Sequence, residues 1–323
     1  MLIAVICFAL IFDFLNGFHD SSNVVATAIA SRALNPRPAL YLAAAAHLAA
    51  PFIFGFAVAK TVGEGLLRQD VITPPVVLAA LIAAVAWNLL TWYAGIPSSS
   101  SHALVGGLMG ASILSAGFSV IQLDGLRVVL LALFLSPVLG LLAGFAVMRL
   151  TLWAARRASP KINRFFRRMQ IVTLTGLALS HGTNDAQKTM GVITLGLVAA
   201  GQLDRFEVPL WVVAVSGVAI ALGTAFGGWR LIRTLGGRIM RVRPVDGFAS
   251  QVAGTVVILG AALLGGPVST TQVMSSSIMG AGAAQRLSRV RWLVAREMMV
   301  AWLLTIPVTA ALAALSYLAL AKI

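Results

Sequence analysis

Two polar blocks lie where long apolar segments would otherwise run unbroken. Residues 16–27 read NGFHDSSNVVAT and residues 180–192 read SHGTNDAQKTMGV. Each carries one carboxylate, Asp20 or Asp185, with the carboxamides of Asn16, Asn23 and Asn184 close by in sequence. A charge at membrane depth costs about 2.5–3.5 kcal/mol on insertion scales and persists where it faces a cavity, a partner or a ligand. A buried carboxylate stays ionised when a cation balances it. Sodium or a proton is the natural partner, and carboxamide oxygens with the bare carbonyls of a broken helix complete a hard-cation cage. Lys188 either pairs with Asp185 to lock two helical turns or brings a fixed positive charge to whatever binds.

A second kind of block also occurs twice. Residues 97–117 (PSSSSHALVGGLMGASILSAG) and 267–285 (PVSTTQVMSSSIMGAGAAQ) each start with proline followed by Ser or Thr and continue in small residues. Proline suits a first helical turn and Ser or Thr caps its free N–H groups. Helix N-termini of this kind attract anions, so Ser100, Ser101, Thr270 and Thr271 are candidate anion-binding hydroxyls. The glycines behind them let helix backbones approach closely; on a purely structural reading these blocks are packing surfaces with a flexible serine joint.

The elements that must position these groups are membrane spans. Of 323 residues, 59% are apolar and 11% charged, outside the usual make-up of a soluble domain. The net charge of +14 resides in short gaps such as 156–168 and 230–243, which fits positive-inside topology rather than nucleic-acid binding. The single cysteine, Cys7, excludes an internal disulfide framework and a multi-cysteine metal site. The N-terminus lacks a basic n-region and reads as a retained span. Taken in order, residues 2–33 form a broken or hairpin helix, 39–58 a span, 60–75 a polar connection, 76–94 a span, 97–117 a polar-tipped segment and 126–155 a long helix through Pro137. After a basic linker at 156–169, the order restarts with a broken segment 170–201, a span 208–226, a basic loop 230–243, a span 248–265, the second polar-tipped segment and a closing helix 290–321. Each apolar unit has the roughly 20 residues a crossing needs.

The halves are copies. An offset of 165 places Gly17, Asp20 and Ser21 on Gly182, Asp185 and Ala186, and an offset of 170 places Pro97, Ser100, Ser101, Met109, Gly110 and Ala111 on Pro267, Thr270, Thr271, Met279, Gly280 and Ala281. Secondary transporters use this plan, with the site where broken helices of both repeats meet. The fold class expected is therefore an all-α integral membrane protein of about ten segments in two inverted repeats of five, with a first repeat at 1–155, a cytoplasmic linker at 156–169 and a second repeat at 170–323. The arginine distribution puts both termini outside the cytoplasm, provided each polar-tipped segment makes one net crossing; a hairpin at either would alter the count.

Other ionisable residues are less specific. His102 beside Ser100 and Ser101 suggests a nucleophile pair, but its counterpart Gln272 cannot act as a base and no third orienting group is evident. His19, His102 and His181 are expected to hydrogen-bond across the broken segments, and His47 to be a satisfied interior histidine. Asp13, two turns before Asp20, is a proton relay or a helix-end contact. Arg296 and Glu297, near the start of the last helix, pair or snorkel.

The segments FDFLNGFHDSSNVVATAIASRAL from Phe12 and LSHGTNDAQKTMGVI from Leu179 resemble the duplicated signatures of the inorganic phosphate transporter (PiT) family, and the resemblance covers nearly the whole chain. It implies a helical membrane transporter with inverted repeats and two re-entrant or hairpin elements, commonly dimeric, that moves inorganic phosphate with sodium or protons in a cell membrane. On this chain, the resemblance puts phosphate between Ser100, Ser101, Thr270 and Thr271, with Gln272 assisting, and coupling cations at Asp20, Asn23 and Asp185. No cofactor is implied beyond bound sodium ions, should sodium be the coupling ion, and no catalytic residue. Sodium-coupled members resemble one another in having Asn in both signature blocks, whereas Lys188 replaces the second here, and Ser21 and Ser22 stand where small alanines are frequent. Lys188 is accordingly placed with the substrate-binding groups, its charge standing in for one bound cation, which favours proton over strict sodium coupling. The 14-residue linker excludes the large cytoplasmic domain of some relatives. The alternatives are a permease for sulfate or another tetrahedral oxyanion, a channel, and a membrane-embedded lipid phosphate hydrolase using His102 or His19.

Overall fold

Proline and glycine set several of the helix boundaries. In the computed structural model, which describes residues 1–68 and 71–322, twelve α-helices are found among the described residues. The first half holds α1 (Leu2–Ala30), α2 (Pro36–Ala49), α3 (Ala57–Lys60), α4 (Pro74–Ala94), α5 (Ser100–Ala116) and α6 (Leu123–Ala154). The second holds α7 (Ile162–Ala199), α8 (Leu210–Phe226), α9 (Trp229–Arg233), α10 (Pro244–Leu263), α11 (Thr270–Ala283) and α12 (Trp292–Leu320). α2, α4 and α10 begin on proline, where the missing N–H costs nothing. α4 ends on Gly95 in the left-handed region, φ 68°, the usual helix stop.

The breaks fall elsewhere than expected. α1 and α7 run continuously through their polar blocks for 29 and 38 residues, correcting the reading of both as broken helices. Neither contains a proline, and polar side chains that bond to neighbouring elements leave the i→i−4 ladder intact. The bends come one segment later. α2 turns by 71° into α3 and the π-helical turn Thr61–Gly65, and α8 turns by 60° into α9 and the π-helical turn Thr234–Arg238. Pro51 with Gly55 (φ 73°), and Gly227 (φ 72°) with Gly228, supply these bends. The expected connection 60–75 is therefore helical up to Gly65, its residues Gln69 and Asp70 lying outside the described residues. The expected basic loop 230–243 is helical as far as Arg238, and α7 starts within the linker, at Ile162.

The two polar-tipped segments are the returning arms of hairpins rather than net crossings. α4 leaves and α5 returns at one end of the bundle, where Leu67 pairs with Ile121 and Arg68 N–H donates to the Val120 carbonyl at 2.9 Å. α10 leaves and α11 returns at the other, where the buried Asp246 carboxylate receives Arg289 at 2.9 Å and Gln285 at 2.6 Å. The ends are opposite because α1 and α7 are antiparallel: Val5 packs on Gly196, and Ser31 donates to Gln170 at 3.0 Å. Gln170 in turn bonds the Pro244 carbonyl beside Asp246. The Tyr317 hydroxyl on α12 bonds Ser115 at the end of α5, so both chain termini lie at the end opposite the basic linker.

Each hairpin's returning helix packs on the long helix of the other half. A Cβ at Gly110 of α5 would stand 2.2 Å from the Ala310 carbonyl oxygen of α12, and one at Gly280 of α11 would stand 2.1 Å from the Leu141 carbonyl oxygen of α6. Only glycine permits either approach, and the two positions correspond at the repeat offset. Among the described residues, five helices are long and apolar enough to cross a bilayer, or up to seven spans when each bent pair counts as one. With α7 and the two short hairpin arms, each half contributes five segments, as expected.

Candidate functional site

Positions 13, 16, 20, 23 and 27 alternate by three and four, which aligns Asp13, Asn16, Asp20, Asn23 and Thr27 along one face of α1, and the C-cap Ser31 continues the row four residues on. All six are buried. On α7, the residues from Ser180 to Thr189 are buried without interruption. The tips of the hairpins reach the same depth: Ser99 caps α5 by accepting from His102 N–H, and Ser269 caps α11 by accepting from Gln272 N–H. The capping oxygens satisfy only the third residue of each helix. The N–H groups of Ser100, Ser101, Thr270 and Thr271 have no carbonyl within their own helix to bond.

Asp20, His181 and Asp185 converge, with ligand atoms all within 4.8 Å of one another. The contacts around them repeat the internal symmetry. Ser100 donates to Asp20 Oδ2 at 3.3 Å, and its counterpart Thr270 donates to Asp185 Oδ2 at 3.1 Å. Across the halves, Asn23 Nδ2 donates to Thr271 at 3.0 Å, and its counterpart Lys188 donates to Ser101, the counterpart of Thr271, at 2.6 Å. Thr271 also donates to Asp20 Oδ1 at 3.0 Å. Two carboxylates and four hydroxyls, drawn from both halves, thus share one buried chamber.

Lys188 is 1% exposed. Its three ammonium protons have three acceptors: Asp185 Oδ1 at 2.5 Å, Ser101 Oγ at 2.6 Å and the Val268 carbonyl at 3.0 Å. The reading of a mere i, i+3 lock with Asp185 is too narrow, because the ammonium also ties both hairpin tips. Asn23 and Asn184 use their nitrogens, the latter on the Gly266 carbonyl at 3.0 Å, and both leave their side-chain oxygens unbonded. Carboxylates beside free carboxamide oxygens are a hard donor set that fits a sodium ion. Since α1 and α7 are unbroken, they supply no bare carbonyls of the kind expected from broken helices, and the carbonyls of residues 266 and 268 at the second hairpin tip are taken by Asn184 and by Lys188 and Ser101.

The remaining candidates separate from this cluster. The Gln272 side chain accepts from Ser136 of α6 at 3.1 Å and so turns away from the carboxylates. Asn16 is buried with neither amide atom bonded. His19 Nδ1 lies 3.0 Å from Asp20 Oδ1, while His181 Nε2 reaches Asp185 Oδ2 at 3.2 Å without hydrogen-bond direction. His102 Nδ1 bonds the capping Ser99 at 2.7 Å, a structural link rather than a base on a nucleophile. His47 Nδ1 bonds Thr224 at 2.7 Å while its Nε2 has no partner among the described residues, so the expected interior satisfaction is met at one nitrogen only, and its ring stacks on His181 with centroids 4.9 Å apart. Arg296 and Glu297 are exposed on α12. Sequence reasoning missed Gln187, whose side-chain oxygen accepts from the Val58 and Ala59 N–H groups at 2.8 and 3.3 Å and so caps α3. The Ser99 and Ser269 caps are the Ser or Thr caps expected of these blocks, although Pro97 and Pro267 stand three residues before the helices rather than in their first turns.

The description "Phosphate transporter family" belongs to a family model that matches residues 16–313. A protein of Rhizobium meliloti named "Probable low-affinity inorganic phosphate transporter" is 44% identical over 321 residues, covering 99% of this chain and 96% of that one. A Bacillus subtilis protein of the same name is 43% identical, covering 98% and 96%. A solved structure titled "The sodium-dependent phosphate transporter" superposes with a TM-score of 0.90 at 25% identity, over 100% of this chain and 99% of that one.

Proposed function

This chain belongs to the phosphate transporter family, and on that premise we propose that it is a secondary active transporter for inorganic phosphate, coupled to sodium or protons, working by alternating access. The family is one of transporters and not of enzymes. One observation carries the proposal: the hydroxyl-tipped N-termini of both hairpins meet Asp20 and Asp185 in one desolvated chamber. Helix N-termini and hydroxyls there suit a tetrahedral oxyanion, with Ser100, Ser101, Thr270, Thr271 and Lys188 as its donors.

The charges in the chamber explain coupling. With neutral imidazoles, Asp20, Asp185 and Lys188 sum to one net negative charge, so a phosphate dianion entering alone meets repulsion. At an effective dielectric of 20, two like charges 4 Å apart repel by about 4 kcal/mol. With Lys188 already paired to Asp185, one cation on Asp20 with Asn23 removes that repulsion, so phosphate and cation each raise the other's affinity by the same factor. The opposed hairpins support reading the halves, 1–155 and 170–323, as inverted repeats that alternate around the chamber. With the basic linker cytoplasmic, both termini lie outside, and the exposed apolar faces of the long helices leave room for a homodimer in the cell membrane. Phosphate counterflow in proteoliposomes, with sodium and pH varied independently, tests the proposal; absence of counterflow under every cation condition overturns it, and equal competition by sulfate reassigns the anion.

A further inference from the structure

Asp13 is fully buried on α1, and among the described residues neither of its carboxylate oxygens has a hydrogen-bond partner. Asn16 follows one turn later on the same helix face, also buried, with both amide atoms unbonded. On α7 the buried Thr189 hydroxyl stands beside the Asp13 carboxyl without closing a hydrogen bond. Buried polar groups without partners are costly, and three neighbouring side chains share this condition. The charged groups that reach Asp13 are Asp185 and Lys188. They are paired with each other and opposite in sign, so neither balances the Asp13 charge. Seven residues separate Asp13 from Asp20, about 10 Å along the helix, which places it outside the chamber and toward the end that carries the chain termini.

We infer that Asp13, Asn16 and Thr189 form a second cation site, distinct from the chamber, for one monovalent metal ion. A proton on Asp13 would give it one bond to make and leave most of the neighbouring atoms unsatisfied. A metal ion can take both carboxylate oxygens, the Asn16 oxygen and the Thr189 oxygen together, and this hard-oxygen set with a single negative charge matches a monovalent rather than a divalent ion. Ala178 occupies the corresponding position in the second half, so the site exists once. Because it joins α1 to α7, one helix from each half, a bound ion ties the halves together. The inference extends the transport reading, and measuring ion binding without phosphate keeps failure of one separate from failure of the other.

The test uses purified full-length protein in detergent without phosphate, with sodium chloride titrated against choline chloride at constant ionic strength and the thermal unfolding midpoint as readout. A saturable rise with sodium is expected in the wild type and in Asp20→Asn, which alters the chamber at a charge that does not reach Asp13, and its loss in Asp13→Asn. Thr189→Val, which keeps the carboxylate and supports the test should Asp13→Asn not fold, should raise the half-saturating sodium concentration about five-fold. No sodium response in the wild type, a response lost in Asp20→Asn but kept in Asp13→Asn, or an unchanged response in Thr189→Val overturns the site. Sodium binding at Asp13 in a protein without phosphate counterflow would overturn the transport reading alone.

Discussion

Replacing Lys188 by Asn makes the second half like the first, since Asn23 occupies the corresponding position. In the wild type the ammonium is 1% exposed and holds Asp185, Ser101 and the Val268 carbonyl at 2.5, 2.6 and 3.0 Å. Removing one member of a buried ion pair costs about 3–5 kcal/mol when nothing replaces it, or roughly two to three and a half powers of ten in an equilibrium constant. A carboxamide cannot supply that charge but can offer an oxygen, so Lys188→Asn should lose phosphate transport by at least about 100-fold in sodium-free medium and recover it as sodium is added. Radiolabelled phosphate uptake into proteoliposomes, with sodium varied at fixed pH gradient, reads this directly. The sodium dependence of the variant should be steeper than that of the wild type by about one ion. Uptake at the wild-type rate without sodium, or loss that no sodium concentration restores while Lys188→Arg remains active, would show that the ammonium is no substitute for a bound cation.

Further outcomes follow from the same contacts. Asp185→Asn should abolish phosphate uptake while leaving insertion and detergent monodispersity unchanged; transport at the wild-type rate would remove Asp185 from the coupling machinery. Thr270→Val deletes a hydroxyl at the tip of α11 that donates to Asp185 at 3.1 Å, and should weaken half-saturation by phosphate by about ten-fold, the worth of a hydrogen bond to a charged group, as read from initial uptake rates. Asp246→Asn leaves Arg243 and Arg289 at the base of the second hairpin without their shared carboxylate. It should destabilise the protein by about 1.5–3 kcal/mol, seen as a lower unfolding midpoint in detergent, whereas an unchanged midpoint would mean the clamp is dispensable.

The parts of this architecture that depend on side-chain chemistry were legible in the sequence. The recurrence of Asp20 in Asp185 and of Ser100 in Thr270 pointed to a shared chamber, and the structure brings those four together. Helix continuity was less legible. A polar block in an apolar run reads as a break when the partners of its side chains are unknown, yet Asn23 and Asn184 find theirs on the hairpin tips and leave the backbone of α1 and α7 undisturbed. The actual bends are marked by Pro51 with Gly55 and by Gly227 with Gly228, in segments whose apolar composition reads as plain spans. The hairpins could not be told from crossings by length or hydropathy, because what closes them is long-range: Leu67 on Ile121, and Asp246 on Arg289. Gln272 was misplaced for a related reason, since its bond to Ser136 requires knowing that α11 packs on α6.

Where the halves differ is as informative as where they agree. The hydroxyls at the two hairpin tips are chemically equivalent, so both halves can treat an oxyanion alike. The differences are in charge: Lys188 against Asn23, and Asp13 against Ala178. An ammonium fixed to α7 balances charge in the chamber without ever leaving it, whereas a counter-ion at Asp13 can exchange with the medium. Together these substitutions move one exchangeable cation away from the phosphate and up α1, while the hydroxyl geometry around the anion stays symmetric. Restoring the internal symmetry should therefore shift coupling rather than anion choice. In the double variant Lys188→Asn with Asp13→Ala, sodium should act only at the chamber, and competition between sulfate and phosphate should match the wild type. A change in anion preference in that variant would mean that the charged residues, and not the helix tips, select the substrate.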